Sequence, residues 1–170
     1  MRRIKLASKC NNDVYTIVDD DIYDYVSQFK WYLDTHGYAV SSIPQAHNIY
    51  GVRNVKLHRL IMFKELEGTD MIIDHINNDP LDNRRSNLRL CHQKENMCNT
   101  RKRKGCSSKF KGVCFDKSRN KWIAYFNLNS RRYNLGRFDD EDEAALAYNN
   151  AASFYFGEYA NLNVIGACKQ

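Results

Sequence analysis

No stretch of about 18 apolar residues occurs in this 170-residue chain, so the sequence predicts no membrane-spanning helix. The opening Met1-Arg2-Arg3-Ile4 is basic, but no apolar core follows, so it does not read as a secretory signal. Six cysteines (Cys10, Cys91, Cys98, Cys106, Cys114 and Cys168) contain no C-x-x-C pair, and no structural zinc is expected. They read as free thiols in a reducing cytoplasm. Acidic residues are scarce in one place. Residues 99–137 carry twelve Lys and Arg against a single acid, Asp116, a net of +11. The whole chain is +6, so the remainder is −5. A basic block interleaved with aromatics on an otherwise acidic chain is the footprint of a polyanionic partner. The length suits two or three small modules better than one large core.

The stretch with most chemistry runs from Met71 to Asn99. Its apolar start reads as a short strand that ends on Asp74 and His75. The polar loop Asn77 to Ser86, rich in Asn and Asp and broken by Pro80, follows. Leu88-Arg89-Leu90 alternates as a return strand, and residues from His92 onward suit a helix. A carboxylate beside an imidazole divides one task, with Asp74 holding a divalent metal and His75 taking a proton from water. Asn87 is placed to accept a hydrogen bond from the far imidazole nitrogen and so orient the ring. Asn96 offers a neutral oxygen as second ligand. Few protein oxygens suit Mg²⁺, which keeps waters and binds phosphate oxygens directly.

Before this stretch, residues 1–54 read as a mixed α+β unit. Ile4-Lys5-Leu6 and Val14 to Val18 are expected strands, and a helix near Ile22 to Gln28 follows Asp19-Asp20-Asp21. Trp31 to Leu33 and Tyr38 to Val40 flank a turn as a hairpin, and Val52 to Leu57 leads on as a strand. A helix is expected over Arg59 to Leu66, ending at Gly68, with His58 supporting the site and Arg59 available to the polyanionic partner. After the stretch, residues 100–108 form a linker. Its consecutive cations Arg101, Lys102, Arg103 and Lys104 repel one another and stay extended until phosphates neutralise them.

Residues 109–163 read as three strands, Phe110 to Phe115, Lys121 to Leu128 and Arg132 to Leu135, then a helix over Asp139 to Phe156 stopped by Gly157. In the second strand Trp122, Ala124, Phe126 and Leu128 share one face. Lys121, Ile123, Tyr125 and Asn127 share the other. Residues 164–170 are a tail.

Leu57-His58-Arg59-Leu60, Asp74-His75, Asn77 to Asn83 and Asn87-Leu88-Arg89 resemble the HNH endonucleases of phage and intron homing enzymes. The resemblance spans about residues 55–99 and implies the ββα-metal fold. It implies His75 as general base, Asn87 as its orienting residue, and Asp74 with the third motif residue as metal ligands. That third residue is Asn96 here instead of His, a variant also found among homing enzymes, which favours Mg²⁺ or Mn²⁺ over zinc.

A second resemblance rests on Lys111-Gly112-Val113, Lys121 to Ala124, Leu135 to Asp139, Glu143 to Ala152, Gly157 and Asn161-Leu162-Asn163. These are similar to the Apetala/ethylene-response-factor DNA-binding domain, which lays a three-stranded sheet in the major groove. By position the resemblance implies Lys111, Tyr125, Asn127, Arg132 and Asn134 as DNA-facing residues, with Lys121 on the same face. The plant family has Arg where this chain has Cys114, Asp116 or Asn127, and Trp at Asn134, so the plant target does not carry over.

The expected architecture is α+β: a mixed N-terminal unit, a central ββα-metal nuclease motif, and a three-stranded antiparallel sheet packed on one helix. The expected function is site-specific, metal-dependent cleavage of double-stranded DNA, as a nick, by a monomer or weak dimer. The expected setting is the cytoplasm of a bacterial host, with a phage origin and no membrane partner. Two rivals stand beside it: a DNA-binding transcriptional regulator on a decayed nuclease scaffold, and a restriction or defence nuclease.

Overall fold

Trp31 anchors the first half of the chain. Its side chain is almost wholly buried, and its indole Nε1 donates to the Val26 carbonyl at 2.8 Å, so a large apolar body enters the core without an unpaired N–H. A computed structural model describes residues 1–7, 13–44, 54–100, 105 and 107–166. The chain divides into two units, Met1–Gln93 and Lys94–Gln170.

In the first unit β1 (Arg2–Lys5) pairs antiparallel with β2 (Tyr15–Val18), and α1 (Asp20–Val26) follows. The acids Asp20 and Asp21 occupy the first turn of α1, where the helix dipole favours negative charge. β3 (Tyr32–Leu33), β4 (Ala39–Ser41) and β5 (Val55–Lys56) make a small antiparallel sheet. The helix predicted over Arg59 to Leu66 is instead two short pieces, α2 (Leu57–Ile61) and α3 (Phe63–Leu66), broken at Met62. Met62 leaves helical geometry at φ −99° and ψ 25°, and the two pieces differ in burial: α2 buries Leu57, His58, Leu60 and Ile61, whereas α3 buries none of its residues.

β6 (Ile72–His75) and β7 (Leu88–Cys91) then form an antiparallel pair, with a 3₁₀ turn at Arg85–Asn87 between them. One core serves this unit. Ile4, Leu6, Val18, Val26 and Trp31 from its beginning pack in the same cluster as Leu57, Leu60, Ile61 and Leu88. Apolar burial is roughly proportional to area removed from water, so these segments are stabilised jointly.

The second unit opens with α4 (Gln93–Cys98), most of which belongs to it. β8 (Val113–Asp116), β9 (Lys121–Leu128) and β10 (Arg131–Phe138) form an antiparallel sheet in the order β10-β9-β8. β8 starts later than predicted because Gly112 adopts φ +72°, outside strand geometry. α5 (Glu141–Phe156) packs on the sheet through Ala144, Ala145, Tyr148 and Ala152. The Asp140 carboxylate caps α5 by accepting from the backbone N–H of Asp142 and Glu143. Gly157 ends it at φ +52°.

Candidate active site and DNA-facing sheet

Asp74 and His75 are the last two residues of β6, and both are buried. Asp74 lies opposite Arg89 in the ladder. Its Oδ2 accepts from Arg89 Nε at 3.0 Å and Nη2 at 2.7 Å, and both side chains are largely buried. His75 lies opposite Leu88, and its Nε2 is 3.2 Å from the side-chain oxygen of Asn83. The His58 ring meets His75 edge-on, with centroids 5.1 Å apart, and Tyr38 packs beside both rings.

Burial pushes the His75 imidazole below its ordinary value. The Asn83 hydrogen bond and the charges of Asp74, Asp79 and Asp82 pull the other way. Burial pushes His58 further, down to about 3, with His75, Lys56 and Arg59 acting in the same direction. Two rings that resist protonation thus sit side by side. His58, expected as a supporting residue, is buried against His75.

The loop between the strands holds this geometry. Asn87 was expected to accept from the far nitrogen of His75, and that expectation is corrected: Asn83 is the residue on Nε2. Asn87 instead closes the loop. Its Oδ1 accepts from Asn77 N at 3.0 Å, and its Nδ2 donates to Asn77 Oδ1 at 3.0 Å and to the Asp82 carbonyl at 2.8 Å. The physical reason is position, because Asn87 leaves the 3₁₀ turn beside Ile76 and Asn77 and meets their backbone first. Asp82 takes a two-pronged grip from Arg84, with Nε and Nη2 at 2.7 and 2.6 Å.

Sequence reading missed two residues here. Asn83 stands inside the quoted motif, but nothing local marks it as the imidazole's partner. Thr16, on β2, gives no signal at all, since it is 67 residues away in sequence. β2 runs alongside the loop: Ile17 N donates to the Leu81 carbonyl at 2.8 Å and Asn83 N to the Ile17 carbonyl at 2.9 Å. Asp19 and Asp21 clamp the far side, accepting from the backbone and guanidinium of Arg85.

Asn96 lies on α4, in the second unit. Arg59 is exposed on α2. Among the described residues no group of three or more His, Cys, Asp or Glu converges on a metal position. In the first unit the donor on offer is a carboxylate oxygen at Asp74. That chemistry fits a hard cation completing its shell with water and phosphate, and Arg89 is the group such a cation would meet at Asp74.

In the second unit the face of the sheet away from α5 carries polar and basic residues. Tyr125 pairs with Asn134 and Asn127 with Arg132 across β9 and β10. The Arg132 guanidinium sits 3.7 Å above the Tyr125 ring. Lys121 bridges to Asp139. A bulge between Asn134 and Gly136 shifts the register so that Arg137 pairs with Ile123 and joins this face. Arg137 then reaches Asp116, Nε to Oδ2 at 3.5 Å. Alternation from Arg132 would have turned it inward, so the bulge hid it from sequence reading. Lys111, expected to face DNA, has its Nζ donating to the Cys98 carbonyl at 2.6 Å, and burial pushes its pKa down to about 8. Arg101, Lys102, Arg103 and Lys104 lie outside the described residues.

Comparison with known proteins gives two family matches, HNH endonuclease over residues 55–98 and AP2 domain over residues 108–158. The chain is 35% identical over 154 residues to "Uncharacterized HNH endonuclease L560" of Acanthamoeba polyphaga mimivirus, covering 89% of this chain and 75% of that protein. It is 31% identical over 88 residues to "Protein 3.8" of Escherichia phage T7, covering 52% of this chain and 72% of that protein. No solved structure matches.

Proposed function

The chain belongs to the HNH endonuclease family, and from that premise we propose that it is a metal-dependent DNA endonuclease of the homing type that nicks one strand. The observation that carries the reading is the buried His75, held by Asn83 beside Asp74 at the end of a β-hairpin.

His75 takes a proton from water, the resulting hydroxide oxygen bonds to phosphorus as the P–O3′ bond breaks, and the departing O3′ takes up a proton from a second water. The products are a 5′-phosphate and a 3′-hydroxyl. Asp74 would hold a divalent ion, Mg²⁺ or Mn²⁺, with Asn96 as the second protein ligand implied by the family resemblance. When bound, that ion supplies Lewis-acid stabilisation of the phosphate oxygens. Burial of His75 favours its neutral, proton-accepting form. The AP2-type sheet holds the duplex through Tyr125, Asn127, Arg132, Asn134 and Lys121, and the cations 101–104 follow phosphates. Arg59 is a further candidate for a phosphate contact. A single set of Asp74 and His75 per chain supports nicking over double-strand cleavage.

The test is supercoiled plasmid incubated with purified protein, with Mg²⁺ or with chelator. Metal-dependent relaxed circles are expected. Retarded but uncut plasmid under both conditions would favour a DNA-binding regulator on a silent nuclease scaffold.

A further inference from the structure

A run of hydrogen bonds, each with its donor direction forced, ties β2 to the imidazole of His75. Thr16 is fully buried, and its hydroxyl donates its one proton to the Leu81 carbonyl at 2.8 Å. Toward Asn83, 2.8 Å away, that same oxygen can therefore only accept. The Asn83 amide must present Nδ2 to Thr16, and Nδ2 also reaches the Pro80 carbonyl at 3.3 Å. Its Oδ1 is thereby turned toward His75 Nε2. An amide oxygen only accepts, so Nε2 carries the ring proton and the lone pair of the neutral ring lies on Nδ1.

We propose that Thr16 is a positioning residue for the nuclease: through Asn83 it fixes the tautomer of His75 and makes Nδ1 the atom that accepts the proton from water. This rests on the reading of His75 as general base and adds the residue on β2 that selects its tautomer through Asn83. As Nδ1 is protonated, the ring becomes an imidazolium whose Nε2–H still donates to Asn83 Oδ1. That bond is then charge-assisted, so it is stronger after proton transfer than before. Its free energy lowers the barrier instead of merely holding the ground state. Asn83 is also fully buried, so no water competes for its amide. β2 therefore completes the active site through Thr16.

The proposal is tested on the full chain. Nitrogen-15 NMR of the imidazoles, with the His75 signal assigned by its loss in His75→Gln, reads the tautomer directly. A protonated Nε2 is expected in the unsubstituted protein, and a protonated Nδ1 there overturns the proposal whatever any variant does. Thr16→Val removes the hydroxyl at nearly constant volume and frees the Asn83 amide to turn. It should mix the tautomers and cut the single-turnover nicking rate about ten-fold or more, part of the ~10²–10⁴-fold a general base contributes. DNA affinity should stay the same. Thr16→Ser should restore both rate and tautomer. A folded Thr16→Val protein with the native rate and tautomer removes Thr16 from this role. His75→Gln separates the two failures, since native nicking by that variant would remove the base itself.

Discussion

Arg89 lies directly across the hairpin from Asp74 and grips one carboxylate oxygen with two nitrogens, at 3.0 and 2.7 Å. Both side chains are shielded from water, at 13% and 6% exposure. Removing Arg89 takes two charge-assisted hydrogen bonds from a buried carboxylate. Arg89→Met should therefore lower stability by about 3–5 kcal/mol in metal-free buffer, measured by chemical denaturation. Divalent cation should recover part of that loss by binding the folded state at Asp74. No gain in stability from Mg²⁺ or Mn²⁺ in Arg89→Met would argue that Asp74 holds no metal.

His75→Ala should reduce nicking about 10²–10⁴-fold while DNA affinity holds, because base chemistry is separate from the AP2-type sheet. Asp74→Ala should abolish the metal-dependent part of the reaction. Asn96→Ala should be partly rescued by more metal, since it loses only a neutral oxygen. Identical metal titrations of the native protein and Asn96→Ala would exclude Asn96 as a ligand.

His58 makes stability depend on pH. Unfolded, the side chain takes a proton near about 6.5; folded, burial delays that to about 3. Between these values the unfolded chain binds more protons, so stability rises with pH. The contribution is complete above about 6.5 and is lost as pH falls toward 3. Denaturation midpoints taken across this window should fall less steeply in His58→Phe than in the native protein. Parallel profiles would show that His58 protonates freely in the folded state.

Gly112 combines φ +72° with a packed surface. A Cβ there would sit 2.0 Å from Tyr148 Cδ2 and 2.6 Å from the Tyr125 carbonyl oxygen. Backbone strain and overpacking together should make Gly112→Ala lose about 2–4 kcal/mol in the second unit. Thermal unfolding checks this, and weaker duplex binding should accompany it because Tyr125 belongs to the open face. An unchanged melting temperature would contradict this packing.

Replacing Arg101, Lys102, Arg103 and Lys104 by Ala should weaken binding to all duplexes alike, since phosphates carry no sequence information. The slope of log affinity against log salt should flatten by up to about 3.6, four cations at about 0.9 each. Arg132→Ala should instead cost about 1–3 kcal/mol at particular base pairs. A binding-site selection assay separates the two, and a changed site preference in the linker variant would break this division.

The sequence by itself determined the local elements and the chemistry they carry. Alternation in Lys121 to Leu128 marks β9, with Trp122, Ala124 and Phe126 turned to the core as the structure has them. Asp140 and Gly157 bound α5 because capping and positive φ are local requirements. Asp74 and His75 end a strand because Ile72 and Ile73 precede them and a turn-rich loop follows. Tertiary structure decided which groups meet. Asn83 and Asn87 are chemically identical and four positions apart, so only the path of the loop assigns one to the imidazole and the other to the loop closure. Thr16 reaches Asn83 only because β2 runs beside that loop, a contact between distant segments that no spacing encodes. Arg137 reached the open sheet face through a bulge, and Lys111 turned to the Cys98 carbonyl. Periodicity and capping act within a few residues, so they leave a local trace. Hydrogen-bond partners across the fold are selected by packing of the whole unit and leave none.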